Sequence, residues 1–120
     1  MRYMMFINHN EELRNQEIPP SLLDAMGRFV EENIKSGILL DTAGLQPTAA
    51  GFRIRLAKGK LKVTDGPFTE SKEVVGGFAI CECRDRQHAL EIATKFMDMH
   101  REHWPAFEGT SEVRPYEVNG

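Results

Sequence analysis

The order of apolar and amphipathic segments predicts an α+β fold of the ferredoxin-like type, β-α-β, then an inserted β-hairpin, then β-α-β. Three observations carry this reading. Two segments repeat apolar residues at helical spacing, each set between short apolar runs. Between the two units, apolar and charged residues alternate on either side of a glycine turn, as in a hairpin. The first run, Tyr3-Met4-Met5-Phe6-Ile7, is apolar at every position, the mark of a strand buried on both faces. With 120 residues, 41% of them hydrophobic, the chain reads as a single domain over residues 1–120 with a real core.

Each element has its own local cause. Asn8 to Glu17 is polar and reads as a loop. Pro19-Pro20 leads into Ser21, a good helix N-cap, with Asp24 three positions on as a weak capping-box partner. Leu22, Met26, Phe29, Val30 and Ile34 then follow at helical spacing, opposite Asp24, Arg28, Glu31, Glu32 and Lys35. Gly37 stands where such a helix ends. Ile38-Leu39-Leu40 is a second strand, ending near Gly44. Phe52-Arg53-Ile54-Arg55-Leu56 alternates, Lys58-Gly59-Lys60 turns the chain, and Leu61-Lys62-Val63 returns it. Asp65 to Gly77 is a long connection, and Phe78-Ala79-Ile80-Cys81 is the next strand. Asp85 caps a second helix whose apolar positions include Ala89, Leu90, Ala93, Phe96, Met97 and His100, and Pro105 stops it. Glu112 to Val118 is the last strand, where Pro115 points to a sheet edge or a subunit boundary.

Charge and composition narrow the function classes. Fifteen Lys and Arg against 18 Asp and Glu give a net charge of -3, which argues against nucleic-acid binding. The two cysteines, Cys81 and Cys83, cannot form a disulfide framework and fit a reducing, cytoplasmic setting. The N-terminal apolar stretch is far too short for a membrane span and carries no small-residue cleavage site. Two helices cover only one face of a four-stranded sheet, yet the first strand is apolar on both. The bare face therefore calls for a second copy, and a homodimer with sheets face to face is expected.

The segment Asp65-Gly66-Pro67-Phe68-Thr69-Glu70-Ser71-Lys72-Glu73-Val74-Val75-Gly76-Gly77-Phe78 resembles the signature of DGPF-type proteins of the YCII-related family. Glu112-Val113-Arg114-Pro115 is similar to the Glu-x-Arg-Pro that closes such proteins, and the Met-Arg-Tyr-Met opening also fits. The resemblance implies a dimeric α/β barrel of ferredoxin-like protomers and a pocket, but no particular reaction. Some members of the family stand beside alternative sigma factors, and others are enzymes acting on small aromatic compounds. A histidine and an aspartate form the proposed active pair in some of them, which makes His9 and Asp65 the catalytic candidates here. One departure stands out: Met97 to Glu108 holds two histidines, a tryptophan and a phenylalanine, where relatives carry a small or polar link.

Physically, Asp65-Gly66-Pro67 is turn chemistry, and Phe68 is the residue such a rigid loop would seat in an apolar slot. The functional alternative makes Asp65, Gly66, Pro67, Phe68 and Lys72 a ligand-binding loop over a cleft, with Asp65 as base and Lys72 as anion contact. Arg114 offers a planar fork for a carboxylate or phosphate, or an ion pair with Glu112 or Glu117. Gly76-Gly77 marks a bulge or close approach, or a simple bend into the strand. His100 and His103 share a helical face, but a metal needs a third ligand such as Glu102 or Glu108, and Trp104 and Phe107 fit a packed helix end. No cofactor motif is present, and neither cysteine has an adjacent base. Two functions follow as expectations: a small-molecule binder or cofactor-independent enzyme of proton transfer, or a non-catalytic dimeric regulatory module with a sigma-factor or other protein partner.

Overall fold

The computed structural model describes residues 1–118, the side chains of Arg14 and Asn15 apart. Among the described residues there are six strands and two α-helices: β1 (Arg2–His9), α1 (Pro20–Lys35), β2 (Leu39–Gly44), β3 (Phe52–Ala57), β4 (Lys60–Asp65), β5 (Val74–Glu82), α2 (Arg86–His103) and β6 (Gly109–Tyr116). The main sheet has the order β2-β5-β1-β6, all antiparallel, and β3-β4 form a separate two-stranded ribbon. This is the ferredoxin-like α+β arrangement with an inserted hairpin. No helix among the described residues is long and apolar enough to cross a membrane.

Strand β1 lies between β5 and β6, with Met5 opposite Ala79 on one side and Val113 on the other. Its alternation turns Tyr3, Met5 and His9 inward, all buried, while Met4 and Phe6 face the other way and stay half-buried. Tyr3 and Met5 join Leu39, Cys81, Cys83, Ala89, Ile92 and Ala93 in one core cluster. The small Ala89 and Ala93 let α2 approach the sheet closely. Phe29 and Val30 of α1 reach only the rim of that cluster. By the same alternation Met4 pairs with Ile80 and Phe6 with Phe78, four half-buried apolar residues in two cross-strand pairs.

Several expected boundaries move. Helix α1 starts at Pro20 with Pro19 as N-cap, so Ser21 lies inside the first turn and makes no cap, and Asp24 has no capping box to complete. A proline at the first helical position needs no N–H partner and has its φ preset, which is why it displaces the serine. The polar stretch after β1 is not all loop, since Glu11–Asn15 form a short 3-10 turn capped by the Asn10 side chain. Strand β5 begins at Val74, so Gly76 and Gly77 lie within it. Ile34 and Leu90, read as core-facing, are 56% and 47% exposed. Asp85 does cap α2, its carboxylate accepting from the His88 N–H at 2.8 Å. The Lys58-Gly59 turn has positive φ at both residues, as a tight hairpin requires, and Pro115 sits on the edge strand β6.

The hairpin is tied down at its base. The Gly66 N–H donates to the Gly51 carbonyl at 2.9 Å, and the Phe68 N–H donates to Thr48 Oγ1 at 3.0 Å. Thr48 in turn donates its N–H and its hydroxyl to Glu11 Oε1, at 2.8 and 3.0 Å. A Cβ on Gly66 would overlap the Thr48 carbonyl, which is backbone and cannot swing aside. Gly66→Ala is therefore expected to destabilise the protein by about 2 kcal/mol, read from urea unfolding. Asp85→Ala, which removes only a cap, should cost about 1 kcal/mol in the same assay.

Candidate functional site

A cavity of about 770 Å³ lies between the sheet and the helix layer, within the range of sites that hold small molecules. Apolar side chains such as Met5, Met26, Phe29 and Ile92 form most of its wall. Along one side runs an aromatic series. Phe29 meets Phe96 at 5.9 Å between ring centroids, Phe96 meets His100 at 4.7 Å, His100 meets Phe107 at 4.6 Å, and Phe107 meets Trp104 at 5.6 Å. Among the described lining residues there is no Asp, Glu, Lys or Arg.

His9 supplies the site's basic nitrogen. It ends β1, is 9% exposed and lines the cavity. Its Nδ1 lies 2.8 Å from the Asn10 carbonyl, which can only accept, so Nδ1 donates there and Nε2 is the nitrogen not engaged by that bond. The ring rests over Gly76. The β1–β5 register steps from Ile7 opposite Gly77 to Asn8 opposite Val75, so Gly76 is the extra residue of a bulge. A Cβ on Gly76 would collide with His9 Nε2, so both readings of this glycine pair, bulge and close approach, are realised. At the same end Gly109, opposite His9 in β6, leaves room for the Phe107 ring that stacks on His100.

His100 is buried, with Nδ1 bonded to the Phe96 carbonyl at 2.9 Å. Burial pushes its pKa below the usual histidine value, outweighing the raising effect of that bond. It is thus a neutral, stacked ring rather than a cation. Cys81 also lines the cavity, but burial first, and the neighbouring Cys83 second, push its thiol up to about 11. It is no nucleophile at neutral pH.

The structure separates the two catalytic candidates. His9 is in the cavity, whereas Asp65 is exposed at the end of β4, opposite Phe52, and is not part of the cavity wall. None of Gly66, Pro67, Phe68, Lys72 and Arg114 lines the cavity either. Phe68 lines a second hollow of about 440 Å³, and the Arg53 guanidinium lies 3.9 Å over its ring. Arg53 also bonds Glu70 and Ser71, each at 3.1 Å, which binds the signature loop to the hairpin. Lys72 is exposed, and Arg114 is 3.9 Å from Glu112. Among the described residues no three metal-binding side chains come together around His100 and His103.

The family model for the YCII-related domain matches residues 1–98. The chain belongs to the YCII-related family. An uncharacterized protein of Rhizobium meliloti (strain 1021) is 35% identical over 82 residues, which are 68% of this chain and 62% of that protein. The aligned stretch thus spans under two thirds of that relative. In this YCII-related chain the family match ends before His100, Trp104 and Phe107, so one end of the cavity is built from residues beyond it. The aromatic wall was not read as a site from sequence. Its signal was the spacing of Phe96, His100, Trp104 and Phe107, which puts four rings along one helix end.

The buried His100 sets a pH dependence. Its folded pKa lies below the unfolded value near 6.5, so the unfolded chain binds the extra proton first. Stability should hold above about pH 6.5 and fall as pH drops through the folded pKa. In His100→Phe, which keeps an aromatic ring, the urea midpoint is expected to change less between pH 7.5 and 5.5 than in the parent.

Proposed function

We propose that this chain binds a small, uncharged, largely apolar molecule in the cavity between sheet and helices. It acts on that molecule by cofactor-independent proton transfer of the isomerase or lyase type. The observation that carries the reading is a basic nitrogen, His9 Nε2, at a cavity whose described wall bears no charged side chain. With Nδ1 committed to the Asn10 carbonyl, Nε2 is the nitrogen left to exchange a proton. A charged ligand would lose its hydration there without gaining a partner. The aromatic wall favours a planar ligand that stacks.

The remaining sequence expectations fit around this reading. The Asp65–Phe68 segment supports a DGPF-type branch of the family, with Asp65 as the second catalytic candidate. Asp65, Lys72 and Arg114 serve as ligand contacts if a second copy or loop movement brings them to the cavity. The half-buried apolar strip of Met4, Phe6, Phe78 and Ile80 supports a homodimer, and two buried free thiols suit the cytoplasm. The second reading, a non-catalytic regulatory module with a sigma-factor or other protein partner, is favoured by the exposed apolar residues of the β3–β4 hairpin.

A thermal-shift series with indole and 2-naphthol against benzoate and benzylamine tests the first reading. The neutral compounds should stabilise the fold, by about 2.7 kcal/mol at a hundred times their dissociation constant. Stabilisation by the charged compounds alone, or by none, would remove this reading and leave the second. With a substrate in hand, His9→Gln should keep binding and lose 100-fold or more in turnover. Gly76→Ala, which displaces the His9 ring, is expected to lose turnover alongside it.

A further inference from the structure

His100 is a polar ring in an apolar place. It is 6% exposed and stands between Phe96 and Phe107, with ring centroids 4.7 and 4.6 Å away. A phenylalanine would supply both ring contacts without carrying polar nitrogens into the wall. Burying such a nitrogen costs free energy unless a hydrogen bond satisfies it. Nδ1 is satisfied by the Phe96 carbonyl at 2.9 Å. Nε2 has no hydrogen-bond partner among the described residues. Nor is it sealed inside the protein, since the sealed, unpartnered side-chain atom among those residues is Glu11 Oε2. The space that the His100 ring lines is the cavity, and Nε2 opens onto it.

Two facts fix what this nitrogen can do. A carbonyl only accepts, so Nδ1 holds the proton of the Phe96 bond. Burial lowers the pKa of the ring and keeps it neutral. A neutral imidazole protonated at Nδ1 presents an acceptor, and no donor, at Nε2. The other ring nitrogen of the aromatic wall, Trp104 Nε1, can only donate.

The acceptor shares one end of the cavity with His9. Gly109 lies opposite His9 in the β1–β6 register. A Cβ on Gly109 would fall 2.6 Å from Phe107 Cζ, and the Phe107 ring stacks on His100. His9, Gly109, Phe107 and His100 thus follow one another across that end.

We propose that His100 Nε2 is a ligand-binding acceptor, selecting planar aromatic molecules that carry a hydroxyl and holding that hydroxyl at the His9 end of the cavity. This rests on the cavity being a small-molecule site and adds the functional group that the site chooses. An apolar guest with no donor leaves the buried nitrogen unpaired beneath it, whereas a phenolic or enolic hydroxyl pairs it. The family match covers residues 1–98, so this selection comes from the segment beyond it.

Calorimetric titration of the intact protein with 2-naphthol and with naphthalene, which lacks only the hydroxyl, tests the proposal. The parent should bind 2-naphthol at least about 10-fold more tightly. In His100→Phe, which keeps the ring stack, that preference should vanish while naphthalene still binds. The 15N signal of His100 Nε2 in the parent, a measurement that needs no variant to fold, should move upfield with 2-naphthol and stay in place with naphthalene. Equal binding of the two compounds by the parent, a preference that survives in His100→Phe, or an unmoved 15N signal would overturn the role of His100 and leave the cavity reading standing. Binding of neither compound would overturn both.

Discussion

Everything in the main sheet depends on the pairing of β1 with β5 and β6 at once. A strand has a side-chain period of two, so one register sends Tyr3, Met5 and His9 to the helices and Met4 and Phe6 away. A slip of one residue would exchange the two sets. The bulge at Gly76 adjusts the register at a single place, the end of β1 where His9 must face inward. The same glycine then gives the His9 ring a place to lie. Fold and site are set by one local device.

Both helices wall the cavity. Helix α2 gives Ala89, Ile92 and Ala93 to the core cluster, and Ile92 and Ala93 also face the cavity, while Phe29 and Val30 of α1 pack at the rim of the cluster and line the cavity too. Apolar surface of this extent is wetted until something covers it, and a guest that displaces the water gains the free energy of that burial.

The backbone plan was legible in the sequence because it rests on periodicity. The alternation at residues 52–63, the helical spacing from Leu22 and the Asp85 cap each state a local preference that the fold obeys. The errors lie where two local signals competed. Ser21 is a good cap, but the proline before it suits the first turn better. Gly76-Gly77 looked like connection, yet they extend β5 because a bulge tolerates residues without side chains. The site was less legible, since the Asp65–Phe68 segment is conspicuous in sequence for its turn chemistry. It proved to hold the base of the hairpin, beside Thr48 and Glu11. The cavity wall draws on Met5, Phe29, Phe96 and Phe107, which sequence cannot tell from ordinary core. Only the cavity that they share in three dimensions distinguishes them.

The thiol of Cys81 stands in the cavity wall with its pKa near 11. At neutral pH only about one molecule in ten thousand would carry the thiolate there, by the ordinary logarithmic relation between pH and ionisation. The Cys81 side chain is also almost wholly buried, so the wall offers an electrophilic carbon neither a thiolate nor an accessible sulfur.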